Sequence, residues 1–171
     1  MTVQHFDWLS HHANRTPNKL AWVDLHSDRP FTYVQAEERS ARLAFHLQKE
    51  LGVERGDRVG ILCMNSTDML EVQFACTKIG AIFLPLNWRL TVSELAFIVG
   101  DAAPKVMVHD KQFAEEIAQL KKEPGIAHSL ETTGGGDASA YEAAISAAKP
   151  EPDLEEMDPV FITLIGENLD R

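Results

Sequence analysis

Apolar residues occur along this chain in short runs that alternate with stretches of helical periodicity. The run at 81–86 is apolar without alternation, which is typical of a strand that is covered on both faces. After a short loop, Thr91 and Glu94 stand at the spacing of a capping box, so a helix is expected to begin at Thr91. Gly100 fits the left-handed position that ends a helix, and Pro104 prevents its continuation.

Similar helix-capping signals and apolar runs occur on both sides of that segment. Thr32 and Gln35 form a second capping box, which predicts a helix that runs to Leu51 and ends at Gly52. Further strands are expected at 58–64, 105–108 and 126–130, and 20–25 with 30–32 are expected to form a short hairpin or edge strands. Further helices are expected at 66–79, capped by Asn65 with Asp68; after Asp110, which can cap a helix through Phe113, Ile117 and Leu120; and at 137–148. A short helix before Pro17 carries Phe6, Leu9 and Ala13 on one face. Alternating strands and helices predict right-handed βαβ units. The expected fold class is therefore α/β, a largely parallel sheet with helices on both faces.

The composition of the chain disfavours some classes of partner. The chain has 171 residues, 44% of them hydrophobic, and a formal net charge of −10, which disfavours nucleic acid or an anionic membrane surface as a partner. Cys63 and Cys76 lie in apolar patterns, as expected for free buried thiols in a reduced, cytoplasmic setting. No apolar run reaches the ~18 residues of a membrane span.

Several candidate sites can be weighed from residue types alone. Phosphate-loop, dinucleotide-binding, nucleophile-elbow and Cys-x-x-Cys signatures are absent from the sequence. The glycines at 134–136 lack a neighbouring lysine and precede Asp137, which favours a plain flexible loop over a phosphate cradle. His11 and His12 are adjacent and so point in different directions on a helix, which disfavours a shared metal site.

The loop of Asn87, Trp88 and Arg89 is the most suggestive place, because it follows the carboxyl end of a predicted strand, where open α/β sheets gather ligands. Two interpretations stay open. The three side chains could line a ligand pocket. Alternatively, Asn87 shapes the turn, Arg89 pairs with an acidic neighbour and Trp88 covers apolar surface, and this second interpretation is favoured.

Ordered motifs point to one family. They are the run Gly-Ala-Ile-Phe-Leu-Pro-Leu-Asn-Trp-Arg-Leu at 80–90 with Asp-Ala-Ala-Pro-Lys-Val at 101–106, Phe-Thr-Tyr at 31–33, and Gly-Val-Glu-Arg-Gly-Asp-Arg-Val at 52–59 followed by Asn65. A weaker match lies at 158–164. Together they resemble the N-terminal part of the AMP-forming acyl-CoA synthetases, the adenylate-forming superfamily that includes fatty-acid and aryl-acid CoA ligases.

The resemblance implies a reaction and its cofactors. Family members use Mg-ATP to convert a carboxylic acid to an acyl-adenylate and then transfer the acyl group to CoA. Their phosphate-binding loop, of the type Thr-Ser-Gly-Thr-Thr-Gly-x-Pro-Lys, follows the strand that matches 158–164, whereas this sequence continues with Ile-Gly-Glu-Asn-Leu-Asp-Arg at 165–171. We therefore assign no catalytic, cofactor-binding or metal-binding residue, and we expect ATP, Mg and CoA to be cofactors of the full-length family rather than of this chain.

The expected organisation is a partial N-terminal α/β domain at 1–149, an acidic, proline-containing linker at 150–159, and a final strand with a short tail at 160–171. The leading hypothesis is the N-terminal portion of an acyl-CoA synthetase that activates a fatty acid, inactive alone. The alternative is a stand-alone, non-catalytic α/β binding or interaction module. The apolar run at 160–165 has no following helix to cover it, so it predicts self-association or pairing with the missing remainder of the domain.

Overall fold

The structure, a computed structural model, describes residues 7–135 and 138–149. These residues form a four-stranded parallel sheet flanked by helices, together with a small antiparallel hairpin. In chain order the elements are α1 (Trp8–Arg15), β1 (Leu20–Asp24), β2 (Arg29–Thr32), α2 (Tyr33–Phe45), β3 (Arg58–Leu62), α3 (Thr67–Ile79), β4 (Ile82–Pro85), α4 (Val92–Ala102), β5 (Val106–Asp110), α5 (Ala114–Leu120), β6 (His128–Thr132) and α6 (Ala140–Ala147).

The parallel sheet has the strand order β4-β3-β5-β6. Val59 in β3 is level with Phe83 in β4 and with Val106 in β5, and Val106 is level with His128 in β6. β1 and β2 pair antiparallel as a separate hairpin. The predicted α/β class, the parallel sheet and the hairpin are therefore confirmed.

Successive residues of each strand point to opposite faces of the sheet, so the sheet has two cores. On one side α2, α3 and α6 cover the sheet, and we call this the α2 face; its core contains Leu43, Leu47, Val59, Ile61, Val72, Cys76, Ile79, Val106, Val108, Tyr141 and Ile145. On the other side α4 and α5 cover it, and we call this the α4 face; its core contains Leu62, Leu84, Leu86, Leu95, Val99, Met107, Ile117 and Leu120. Helices thus lie on both faces, as predicted.

Both predicted capping boxes are present. In α2 the Thr32 and Gln35 side chains exchange hydrogen bonds with each other's backbone N–H, and in α4 Thr91 and Glu94 do the same. The far end of α2 is a π-helical turn, His46–Glu50, rather than a continued α-helix. Gly52 then adopts a left-handed conformation at φ 63°, as expected for a helix terminator.

The predicted end of α4 at Gly100 is wrong. The helix continues to Ala102, and Ala103 adopts the left-handed conformation at φ 45°. Arg58 explains the longer helix, because its guanidinium donates to the carbonyl of Ala102 at 2.6 Å and to that of Ala103 at 3.2 Å. These carbonyls have no partner inside the helix. The Arg58 side chain from β3 therefore stabilises a helix end that the position of Gly100 does not predict.

Two predicted elements near the end of the described residues shift by a short distance. The strand expected at 126–130 is β6, His128–Thr132. The helix expected from Asp137 begins after Ser139, whose hydroxyl accepts the backbone N–H of Glu142 at 3.2 Å. Asp137 itself, the predicted linker at 150–159 and the predicted strand at 160–165 lie outside the described residues. Among the helices that the structure does describe, none is long and apolar enough to cross a membrane.

Candidate functional site

The carboxyl edge of the parallel sheet is the natural place to look for a ligand. The chain leaves β3 toward β4 through α3 on the α2 face, and it leaves β5 toward β6 through α5 on the α4 face. The connections therefore diverge between β3 and β5. In open α/β sheets, ligands bind in the crevice at this point of divergence.

The exit loop of β4 shapes its own backbone. The side-chain oxygen of Asn87 accepts the backbone N–H of Arg89 at 3.0 Å, which confirms its predicted role in the turn. The Arg89 guanidinium lies 4.2 Å from the ring centroid of Trp88. It therefore contacts an indole, and the predicted pairing with an acidic side chain is wrong. Trp88 in turn packs against the core of the α4 face and lies 6.5 Å from Phe113. The loop thus covers apolar surface.

The start of α3 depends on the distant hairpin. Its N-cap residue, Ser66, makes no side-chain capping bond, and the backbone N–H of Thr67 donates instead to Asp24 Oδ2 at 3.1 Å. The other oxygen of Asp24 accepts the N–H groups of His26 and Ser27 at 3.0 and 2.9 Å. The predicted cap, Asn65 with Asp68, is therefore wrong. The cap comes from 43 residues earlier in the chain, a distance that local spacing does not reveal.

Asp24 is held as a carboxylate by these contacts. Burial by itself raises its pKa, but hydrogen bonds from the backbone N–H groups of Ser27 and Thr67 outweigh burial, and the pKa lies below its ordinary value. A carboxylate at the N-terminus of α3 also interacts favourably with the helix dipole. The hairpin and α3 are thus joined by a negative charge.

Asp68, in the first turn of α3, is fully buried and belongs to a charged cluster. Arg29 of β2 donates to Asp68 Oδ1 at 3.1 Å and to the carbonyl oxygen of Gly134 at 3.1 Å, while the Thr132 hydroxyl donates to Asp68 Oδ2. Gly134 lies in a loop, as predicted, with φ at 67° and its N–H donating to the Thr132 hydroxyl at 3.1 Å. Gly135 continues this loop, and Gly136 lies outside the described residues.

A second part of the cluster joins α2, α3 and α6. Arg39 binds the fully buried Glu71 at 2.6 and 3.1 Å and binds Glu142 at 2.9 and 2.7 Å. The Tyr141 hydroxyl donates to Glu71 at 2.9 Å. Burial raises the pKa of Glu71, and the hydrogen bonds from Arg39 and Tyr141 oppose this rise. The pKa of Arg39 lies above its ordinary value: burial lowers it, but the bonds to Glu142 and Glu71 outweigh burial.

The chemistry available to this cluster is limited because its charged groups bind one another. Burial raises the pKa of the Cys63 thiol to about 12, which leaves almost no nucleophilic thiolate. His11 and His12 lie with their ring centroids 5.3 Å apart and edge to face. Within 7–135 and 138–149 there is no group of three or more His, Cys, Asp or Glu side chains that could hold a metal ion. The arrangement is suited to holding the hairpin, α2, α3, β6 and α6 together.

Sequence reasoning missed this cluster. One signal was present, since Asp68 and Glu71 are charged residues three apart that flank the apolar residues Met69 and Leu70 in α3. Charged residues on a buried helix face require partners, which the sequence could not identify. Arg29 and Arg39, the cationic partners, come from elements more than 30 residues away.

Comparison with known proteins finds relatives that agree with one another in family. Residues 9–164 match the family model described as AMP-binding enzyme. A 3-oxocholest-4-en-26-oate–CoA ligase of Rhodococcus rhodochrous is 32% identical over 177 residues, covering 97% of this chain and 31% of that protein. A medium/long-chain-fatty-acid–CoA/3-oxocholest-4-en-26-oate–CoA ligase of Mycobacterium marinum is 29% identical over 174 residues, covering 94% of this chain and 31% of that protein.

A solved structure agrees with these relatives. The N-terminal domain of FACL13 from Mycobacterium tuberculosis superposes with a TM-score of 0.81 at 26% identity, over 94% of this chain and 41% of that one. The chain spans about a third of the length of the curated relatives named above. With one family model over most of the chain, a ligase more than 30% identical across nearly all of it and a matching fold, this chain belongs to the AMP-binding enzyme family and corresponds to the N-terminal third of its acyl-CoA ligases.

Proposed function

We propose that this chain forms the N-terminal scaffold of an AMP-forming acyl-CoA synthetase that activates a fatty acid or another carboxylic acid with a large apolar body. The observation that carries the proposal is the 32% identity over 97% of the chain to a ligase whose substrate is a sterol side-chain acid. A second relative, whose name includes medium- and long-chain fatty acids, supports the same class of substrate. Both acids pair a carboxylate with an extended apolar group.

The described residues do not by themselves fit the phosphates of ATP. Of the guanidinium groups at the carboxyl edge, those of Arg29 and Arg39 are already bound to Asp68, Glu71 and Glu142. That of Arg89 lies over the Trp88 ring. We therefore assign no step of the adenylation to these residues. Their proposed contribution is mechanical, because they fix the strands and loops of the sheet against which the rest of a ligase packs.

The test compares the chain alone with a chimeric ligase that contains it. The 171-residue chain alone is expected to catalyse no acid-dependent exchange of pyrophosphate into ATP with a panel of medium-chain, long-chain and sterol acids. A chimera in which it replaces the equivalent third of the Rhodococcus rhodochrous ligase is expected to restore that exchange. The same chimera with Arg39→Ala is the control: it should unfold at a lower urea concentration, as followed by circular dichroism, and it should lose activity as it unfolds.

Two outcomes would contradict the proposal in different ways. Exchange by the chain alone would show that these residues suffice for adenylation and that the scaffold role is wrong. A chimera that folds with native stability but makes no acyl-adenylate from any acid would favour the alternative, a non-catalytic α/β interaction module. That alternative is consistent with the mutual pairing of the charged groups at the carboxyl edge.

A further inference from the structure

The hairpin of β1 and β2 has two outer edges, and the edge of β2 is closed. Tyr33 donates its backbone N–H to the carbonyl of Lys19 across the hairpin at 3.0 Å. Because consecutive residues of an antiparallel strand bond alternately inward and outward, Thr32 and Pro30 present their backbone groups to the outside. The Thr32 N–H donates to the Gln35 side chain at 2.9 Å, and Pro30 has no N–H. The outer edge of β2 therefore offers no free donor to a further strand.

The outer edge of β1 is open. Leu20 is level with Thr32, and Val23 is level with Pro30. Leu20 and Val23 therefore also turn their backbone N–H and C=O groups outward. Within 7–135 and 138–149, neither of these two N–H groups has a hydrogen-bond acceptor. A strand edge with unpaired backbone groups is a template for the addition of another strand.

A β-bulge makes this edge continuous. The register of the hairpin shifts between Leu20 and Trp22, so Ala21 is an extra residue in β1. Residues three apart point to opposite sides of a regular strand, but with the extra residue Leu20 and Val23 face the same way. Their side chains are 52% and 36% exposed, and Leu25, just past the end of β1, is 92% exposed. The open edge thus borders an apolar surface.

The matched solved structure indicates where a cover for this surface would come from. The fold superposes on the N-terminal domain of FACL13 with a TM-score of 0.81 but covers only 41% of that chain. More than half of such a domain therefore lies beyond the matched region, and it buries its own apolar surface by packing against that region. The apolar side chains beside the open edge of β1 offer both backbone bonds and apolar contact to such a neighbour.

We propose that the outer edge of β1 accepts a third β-strand, supplied by the two-thirds of an acyl-CoA ligase that this chain does not span. This inference rests on the proposed function. The added strand accepts the N–H groups of Leu20 and Val23 and donates to their carbonyl oxygens, and its apolar side chains cover Val23 and Leu25. Because Asp24 of β1 caps α3, the added strand also holds this cap in place.

Backbone amide exchange of Val23 tests the added strand, measured by mass spectrometry with fragmentation to single residues. In the 171-residue chain alone, we expect the Val23 amide to exchange rapidly. In the chimera with the Rhodococcus rhodochrous ligase it should exchange about a hundredfold more slowly. The Leu95 amide is the control, since it donates to the Thr91 carbonyl at 3.0 Å at the start of α4 and should be protected in both proteins.

Three results would overturn the proposal. The first is rapid exchange of the Val23 amide in a folded chimera. The second is slow exchange in the chain alone that increases in protection with protein concentration, because a second copy would then pair with β1. The third is slow exchange in the chain alone at every concentration, because the chain would then cover its own edge.

Substitution of Val23 gives a second readout. Val23→Pro removes the outward donor, and Pro30 shows that proline is accommodated at an outward position of this hairpin. In the chimera this change should speed exchange of the Leu20 amide about tenfold, the factor that corresponds to the loss of one hydrogen bond. Val23→Thr is the matched control, because it keeps both the N–H and the branched side chain. Equal Leu20 exchange rates in the two folded chimeras would overturn the proposal.

The exchange measurements require a folded chimera but not an active one. A chimera that protects the Val23 amide and makes no acyl-adenylate would contradict the proposed function and support the added strand. An active chimera in which the Val23 amide exchanges rapidly would support the proposed function and overturn the added strand.

Discussion

The two faces of the sheet are built from different interactions. The α2 face buries charge: Asp68 and Glu71 are fully buried there and are bound by Arg29 and Arg39. The α4 face is held by aliphatic side chains, and within the described residues no ion pair joins α4 or α5 to another element. Both faces cover the same strands, so the contrast arises from the helices and not from the sheet.

The difference follows from how each face is connected. α4 and α5 each lie between two strands of the parallel sheet, so their packing follows from two successive βαβ units. The α2 face combines α3, which also connects two strands, with the hairpin, α2 and α6 from remote parts of the chain. Buried ion pairs contribute little net stability, but their directional bonds allow only one arrangement of these elements. We infer that the charges of the α2 face specify how its parts assemble.

The largest effect is expected from Arg39→Ala. This change leaves Glu71 buried without its bidentate cation, and only the Tyr141 hydroxyl remains to stabilise it. We expect a loss of about 3 kcal/mol in the free energy of unfolding, measured by urea titration. Arg42→Ala is the control, since Arg42 pairs with the half-exposed Glu38 and donates to the Ala148 carbonyl at 2.7 Å but binds no buried carboxylate, so its loss should cost about 1–2 kcal/mol. Equal losses in the two variants would show that the buried charges do not dominate the α2 face.

An intermediate effect is expected from Asp24→Asn. The change removes the charge that caps α3 and should cost about 1–2 kcal/mol at neutral pH. Because the pKa of Asp24 is lower in the folded chain than its ordinary value of 3.8, its stabilisation is present above that value and is lost as the pH falls through the folded pKa. Urea titrations of both proteins at falling pH should therefore converge. A stability difference that persists in strong acid would show that the charge is not the cause.

The smallest effect is expected on the α4 face, from Thr91→Ala. Loss of its capping box should cost about 1 kcal/mol. Asn87→Ala should cost less, since Asn87 makes a single exposed hydrogen bond to the N–H of Arg89. Denaturant titrations compare the two variants directly. If Asn87→Ala is the more costly change, the exit loop of β4 contributes more to the α4 face than its helix cap does.

Local signals were sufficient for much of the fold. The capping boxes at Thr32 and Thr91 satisfy orphan N–H groups with side chains three residues away, so their spacing can be read directly from the sequence. The parallel sheet followed from apolar runs separated by helical periodicity. The turn role of Asn87 was also predictable, because its side chain binds a backbone group two residues later.

What the sequence by itself determined was the α/β architecture, the starts of α2 and α4, and the family, since each rests on interactions between near neighbours or on ordered motifs. Only the tertiary structure decided the cap of α3, the end of α4 and the partners of the buried charges. In each case the satisfying group comes from far along the chain: Asp24 for Thr67, Arg58 for Ala102, and Arg39 for Glu71. A polar group that is buried must be paired, but which distant residue pairs with it is fixed by how the elements pack.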